Sequence, residues 1–132
     1  MKKYFLDTSV IIDYVRGRGE TISLIEKLDG ELSSSYLCLA EIYEGIANTK
    51  TDKEKKEEAV KTFFRGLNEV YGLSEEIAVK FGVLRAELRE KGQMIPDMDL
   101  LLAATCLTQN LTLITGNLKH FRRIKDLQIY SF

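Results

Sequence analysis

The chain has little of what most binding and catalytic scaffolds need. It holds two cysteines, one histidine, one proline and no tryptophan. Cys38 and Cys106 lie in apolar segments without metal-ligand spacing, and His120 alone cannot complete a zinc site with them. Two buried thiols suit a reducing cytoplasm rather than a disulfide scaffold. Charge of one sign is also missing: 19 Lys and Arg stand against 20 Asp and Glu, a formal net charge of −1. The chain as a whole is therefore not built to hold a polyanion, and nucleic acid would have to meet a local patch or a metal-bridged phosphate. No apolar run is long enough to cross a bilayer. The longest, residues 100–107, is broken by Thr105 and reads as a buried helix. Met1-Lys2-Lys3 leads straight into a short strand, so no secretory leader is expected. There is no P-loop, GxGxxG, GxSxG or HExxH pattern, which leaves nucleotide-driven, hydride-transfer, serine-hydrolase and zinc-protease chemistry without support.

What is present is an ordinary globular composition, 45% hydrophobic and 30% charged over 132 residues. That is enough for one domain, residues 1–132, with a core of its own. Short segments at residues 3–6, 32–37, 70–73, 111–115 and 127–130 read as strands. Between them lie helical patterns. One follows Asp7, whose carboxylate offers N-cap chemistry. Others cover residues 20–28, 39–46, 52–67, 74–91 and 98–109, and a short basic one covers 117–124. Strands alternating with helices predict a parallel sheet covered on both faces, with ligands bound beyond the carboxyl ends of the strands.

Three acids sit at the ends of these elements. Asp7 follows the first strand in Leu6-Asp7-Thr8-Ser9; its plain role is helix capping. Glu41, in Leu39-Ala40-Glu41-Ile42, falls at the start of an apolar helix, where an isolated Glu favours the helix dipole. Asp97 and Asp99 open a helix rich in small residues, Ala103 and Ala104; Asp97 suits the cap, which leaves Asp99 without a helical duty. Thr115-Gly116-Asn117 closes the fourth strand, with Asn117 as a further cap. Ionised carboxylates beside buried segments are costly unless paired or bound to a metal. Converging carboxylates and hydroxyls suit Mg2+ or Mn2+, which take oxygen ligands and keep several waters. Phosphodiester hydrolysis is the matching reaction class. Glu44, one turn after Glu41, reads either as support for the site or as a solvated side chain.

Four segments together resemble the PIN-domain family, in particular VapC-type toxin ribonucleases: Leu6-Asp7-Thr8-Ser9-Val10-Ile11-Ile12-Asp13, Leu39-Ala40-Glu41-Ile42-Tyr43-Glu44-Gly45, Asp99-Leu100-Leu101-Leu102-Ala103-Ala104-Thr105, and Leu113-Ile114-Thr115-Gly116-Asn117-Leu118-Lys119-His120-Phe121. The resemblance runs through nearly the whole chain. It implies a three-layer α/β/α sandwich around a mostly parallel sheet of four to five strands. It implies an Mg2+- or Mn2+-dependent endoribonuclease with Asp7 and Asp99 as metal ligands and Glu41 as the third catalytic acid. Thr8, Ser9, Glu44, Asp97, Thr115 and Asn117 are supporting candidates, Asn117 standing where the family often has a fourth acid. A small antitoxin, a homodimer and a cytoplasmic setting away from membranes are implied likewise. Candidate RNA phosphate contacts are Arg16, Arg18, Lys119, Arg122 and Arg123. Two other functions fit the same residues: a housekeeping RNA-processing or DNA-flap nuclease, and a catalytically silent domain that only binds RNA or a partner, for which Asn117 is the motive. A phosphatase with Asp7 as nucleophile lacks the second acid two residues on, where Ser9 stands.

Overall fold

A computed structural model describes residues 1–130. Five strands, β1 (Lys2–Leu6), β2 (Gly30–Ser35), β3 (Glu69–Tyr71), β4 (Thr112–Ile114) and β5 (Ile129–Tyr130), form one sheet in the order β3-β2-β1-β4-β5. Every pairing is parallel. Seven helices connect them: α1 (Thr8–Val15), α2 (Gly19–Lys27), α3 (Tyr36–Ala47), α4 (Lys53–Arg65), α5 (Glu75–Glu90), α6 (Asp97–Gln109) and α7 (Leu118–Phe121). Successive strand residues face opposite sides of a sheet. Phe5 and Leu6 are nevertheless both fully buried, so both faces of β1 are covered. The helices pack in two groups, α1 to α4 and α5 to α7, giving the expected three layers. Among the described residues, no helix is long and apolar enough to cross a membrane.

The local chemistry explains the boundaries. Asp7 caps α1 as expected, its carboxylate accepting from the Thr8 N–H. Ser74 caps α5 in the same manner. The second strand starts and stops two residues before its predicted span of 32–37, because Ser35 turns the chain and caps α3 through the Leu37 N–H. Three consecutive serines form a poor strand on composition, but each finds a partner. Ser33 donates to the Tyr4 carbonyl at 2.8 Å and Ser34 to the Leu6 carbonyl at 3.0 Å, both across to β1. The basic helix predicted over 117–124 shrinks to α7, four residues long, before the chain breaks into turns. Strands three to five are likewise shorter than their predicted spans. A sheet whose strands alternate with helices needs only a few paired residues per strand.

α6 is buried almost all round. Leu100, Leu102, Ala103, Ala104, Thr105 and Cys106 are each at most 2% exposed. It ends at Asn110, whose left-handed backbone (φ 56°) lets the Leu111 N–H reach back to the Cys106 carbonyl. Both cysteines are free and buried, as expected; burial pushes the Cys38 thiol up to about 11, so it stays protonated.

Gly30 pairs with Lys2 at the start of β2. A Cβ there would collide with the Lys2 carbonyl oxygen and press on the Tyr4 ring, and the backbone atom cannot yield. Gly30→Ala is expected to lower unfolding free energy by about 2 kcal/mol or more, a steric effect of the overpacking kind. Urea denaturation measures it, and an unchanged midpoint would contradict the close approach of β1 and β2.

Candidate active site

The strand order reverses at β1. The chain builds outward through β2 and β3, then returns to the other side of β1 for β4 and β5. Crevices open beyond the carboxyl ends of strands at such a reversal. Asp7 ends β1 at this point, and Thr115 ends β4 beside it. The Asp7 N–H bonds to the Ile114 carbonyl at 3.1 Å. Its carboxylate accepts from the Thr8 N–H on Oδ1 at 2.7 Å and from the Thr115 hydroxyl on Oδ2 at 2.6 Å. The residue is only 7% exposed. Burial pushes its carboxyl above the usual carboxylate value, the two hydrogen bonds oppose that, and the nearby negative charges of Asp99 and Glu41 add to it. The net direction is upward.

Glu41 does not sit in a first helical turn. Because Ser35 starts α3 at Tyr36, Glu41 lies well inside the helix, and the dipole role falls away. Instead it accepts from the Thr8 hydroxyl at 2.7 Å. Thr8 thus holds two acids at once, Asp7 through its N–H and Glu41 through its side chain.

Asp99 lies in the first turn of α6 and turns toward α7. His120 Nδ1 stands 2.7 Å from Asp99 Oδ2, with side chains 30% and 20% exposed respectively. A carboxylate only accepts, so Nδ1 carries the proton and donates. Asn117 Nδ2 is placed 3.1 Å from the same nitrogen. Two N–H groups cannot share a hydrogen bond, so the shorter contact with the carboxylate decides the proton, and an Nδ1–H requires the Asn117 amide turned over with its oxygen toward the ring. The Asn117 N–H in turn donates to the Thr115 hydroxyl at 2.9 Å. Residues 115–120 therefore bridge both aspartates, Asp7 at one end and Asp99 at the other.

His120 is a further site residue, one to which the sequence reading attaches no role although it stands in the fourth of the resembling segments. The available signal was Asn117-x-x-His120, a three-residue spacing that puts both on one helical face. Other expectations change. Asp97 neither caps α6 nor supports the site: Pro96 is the N-cap, and Asp97, the first helical residue, pairs with Arg85 at 3.1 Å on the surface. Asn117 holds the N-cap position of α7 but makes no side-chain cap bond, because its amide is spent on His120. Glu44 is exposed.

Ser9, also exposed, lines a cleft with Asp13, Arg18, Glu20 and Gly116. The basic candidates divide. Arg18 leans on Asp13 at 3.5 Å, and Arg16 is exposed at the end of α1. Lys119, Arg122 and Arg123 line one surface depression with Gln93. Arg123 also donates to the Met94 carbonyl at 2.8 Å, so part of its task is to pin the loop before α6.

The donor set fits a hard divalent cation. It consists of oxygens, and burial makes the charged form of Asp7 costly, a cost that a nearby positive charge offsets. Among the described residues, no three Asp, Glu, His or Cys groups already stand together as a metal-holding cluster. Asp99 is drawn to His120 and Glu41 to Thr8 instead.

The order of strands, the acid at the end of β1 and the Thr-Gly-Asn exit of β4 agree with the PIN-domain resemblance. The PIN domain family model matches residues 4–127, and the chain belongs to that family. The chain is 37% identical over 131 residues to ribonuclease VapC1 of Methanocaldococcus jannaschii, covering 98% of this chain and 88% of that protein. It superposes with a TM-score of 0.90 on VapBC2 from Rickettsia felis, solved bound to a DNA fragment from their promoter, at 28% identity and 98% coverage of both chains. VapBC-1 from nontypeable Haemophilus influenzae matches at a TM-score of 0.84 and 30% identity, with 98% and 97% covered.

A raised Asp7 pKa has a defined consequence for stability. The folded chain holds the Asp7 proton more tightly than the unfolded chain. Stability is therefore lost as pH rises from the unfolded value through the folded one. Asp7→Asn removes the charge. It is expected to raise unfolding free energy at pH 7 by about 1 kcal/mol, and the gain should vanish below the ordinary Asp value of 3.8. Paired denaturation curves at the two pH values test this; a destabilised variant at pH 7 would mean that the two hydrogen bonds outweigh burial.

Proposed function

We propose that this chain is a toxin ribonuclease that hydrolyses RNA phosphodiester bonds with Mg2+ or Mn2+, controlled by a small antitoxin. The observation that carries the reading is Asp7: a carboxylate buried at the strand reversal, with Asp99 and Glu41 near enough to raise its pKa further. The ribonuclease name of the M. jannaschii relative and the likeness to VapBC assemblies support it. Asp7 and Asp99 would hold the ion, and Glu41 is the third catalytic acid. When bound, such an ion supplies water activation and neutralisation of phosphate charge.

The remaining work falls to the chain itself. Thr8 and Thr115 fix the two oxygens of Asp7, and Thr8 also keeps Glu41 turned toward it. The depression of Lys119, Arg122 and Arg123 adjoins α7 on the Asp99 side and offers positive charge for the RNA backbone. Arg16 and Arg18 would take phosphate on the α1 side. The antitoxin, the homodimer and the cytoplasmic setting belong to the same proposal.

Purified protein is expected to cut structured RNA with Mg2+ or Mn2+ and to stop on addition of EDTA. Asp99→Asn should lower the rate by about a hundredfold or more, the scale of losing a group that acts on the charged transition state. Expression should arrest growth, and co-expression of the cognate antitoxin should relieve it. Undiminished cleavage by the Asp99→Asn protein would remove Asp99 from the chemistry. Mn2+ uptake without any cleavage would favour a silent RNA-binding domain.

A further inference from the structure

His120 Nδ1 stands closer to Asp99, at 2.7 Å, than to Asn117, at 3.1 Å, and nothing in the proposed chemistry uses the contact with Asp99. Its partners come from different elements, α7 and α6, 21 residues apart in sequence. Resting on the nuclease reading above, we propose that His120 is a positioning residue: its Nδ1–H holds Oδ2 of Asp99 and leaves Oδ1 for the divalent cation.

The need for such a tether follows from where Asp99 stands. It is the third residue of α6, where an acid can turn back toward the free N–H groups of the first helical turn. The cap residue, Pro96, has no N–H of its own, but no side chain caps the N–H groups that follow it. Left alone, the Asp99 carboxylate has a local alternative to the site. A ring N–H at 2.7 Å outcompetes it and fixes one rotamer. The ring is itself fixed. The Asn117 amide meets the same nitrogen, and the Asn117 N–H is anchored on the Thr115 hydroxyl, which already holds Asp7. His120 thus ties the position of Asp99 to that of Asp7. Partners of this kind beside metal ligands commonly govern metal affinity.

Amide substitutions separate positioning from packing. His120→Asn places its side-chain N–H close to where Nδ1–H stands, whereas His120→Gln places it near the outer ring nitrogen. Mn2+ titrations by calorimetry are expected to show the Asn variant within about threefold of wild type and the Gln and Ala variants weaker by about 10- to 100-fold. In the metal-free protein, 15N NMR should find the imidazole proton on Nδ1. An Ala variant that binds Mn2+ as tightly as wild type, an Asn variant as weak as Ala, or an imidazole protonated on Nε2 alone would each overturn the proposal. Wild-type protein that cuts RNA while all variants bind Mn2+ equally fails this inference alone. Wild-type protein that binds Mn2+ with the expected variant order yet cuts no RNA fails only the nuclease reading.

Discussion

Everything at the carboxyl end of the sheet is arranged around one costly group, the carboxylate of Asp7. It stands where β1 passes into α1, and each of its oxygens is met by a donor from a different part of the chain. Those bonds reduce the cost of burying charge without removing it, since the net pKa direction remains upward. An aspartate kept in such a place is held against the preference of the fold. Asn would cap α1 about as well and carry no charge. A positive ion arriving at the site would change that balance, and here the argument from stability and the argument from function meet in one residue.

The sheet supplies the geometry that makes this possible. With β1 central and its last three residues buried, its carboxyl end cannot drift, and β4 brings Thr115 alongside in a fixed register. The serines of β2 tie the opposite flank of β1 to the same frame through the Tyr4 and Leu6 carbonyls. Glu41 is then carried to Thr8 by a helix whose start is fixed by Ser35. Small hydroxyl residues do this work throughout the region. They are compact enough to fit between packed elements, and they can donate to an acid without adding charge.

Much of this was legible in the sequence. The alternation of strands and helices, the cap at Asp7 and the buried character of residues 100–106 follow from periodicity and composition. The three acids were legible as well, because each interrupts or adjoins an apolar run. What was not legible depends on partners remote in the chain. The second strand is placed two residues late in the sequence reading, since the acceptors that hold Ser33 and Ser34 in it lie 29 and 28 residues away. Asp97 and Asp99 look alike as neighbours on one helix start. Only the packing of α5 and α7 against α6 separates them, one toward Arg85 at the surface and the other toward His120 in the crevice. Glu41 shifted from helix start to helix interior because the cap was a serine hidden in an apparent strand.

The bridging segment from Thr115 to His120 also changes the meaning of Asn117. A fourth acid at this position would add a negative charge to a cluster in which Asp7 already feels two others. An amide avoids that repulsion. It meets the His120 ring without adding charge beside the neighbouring carboxylates, and its backbone N–H completes the link to Thr115. Asn117 therefore need not be a weakened metal ligand. In this chain its side chain and backbone are occupied in joining two acids that the sequence places 92 residues apart (7 and 99), and that joining is a structural duty an aspartate would perform less well.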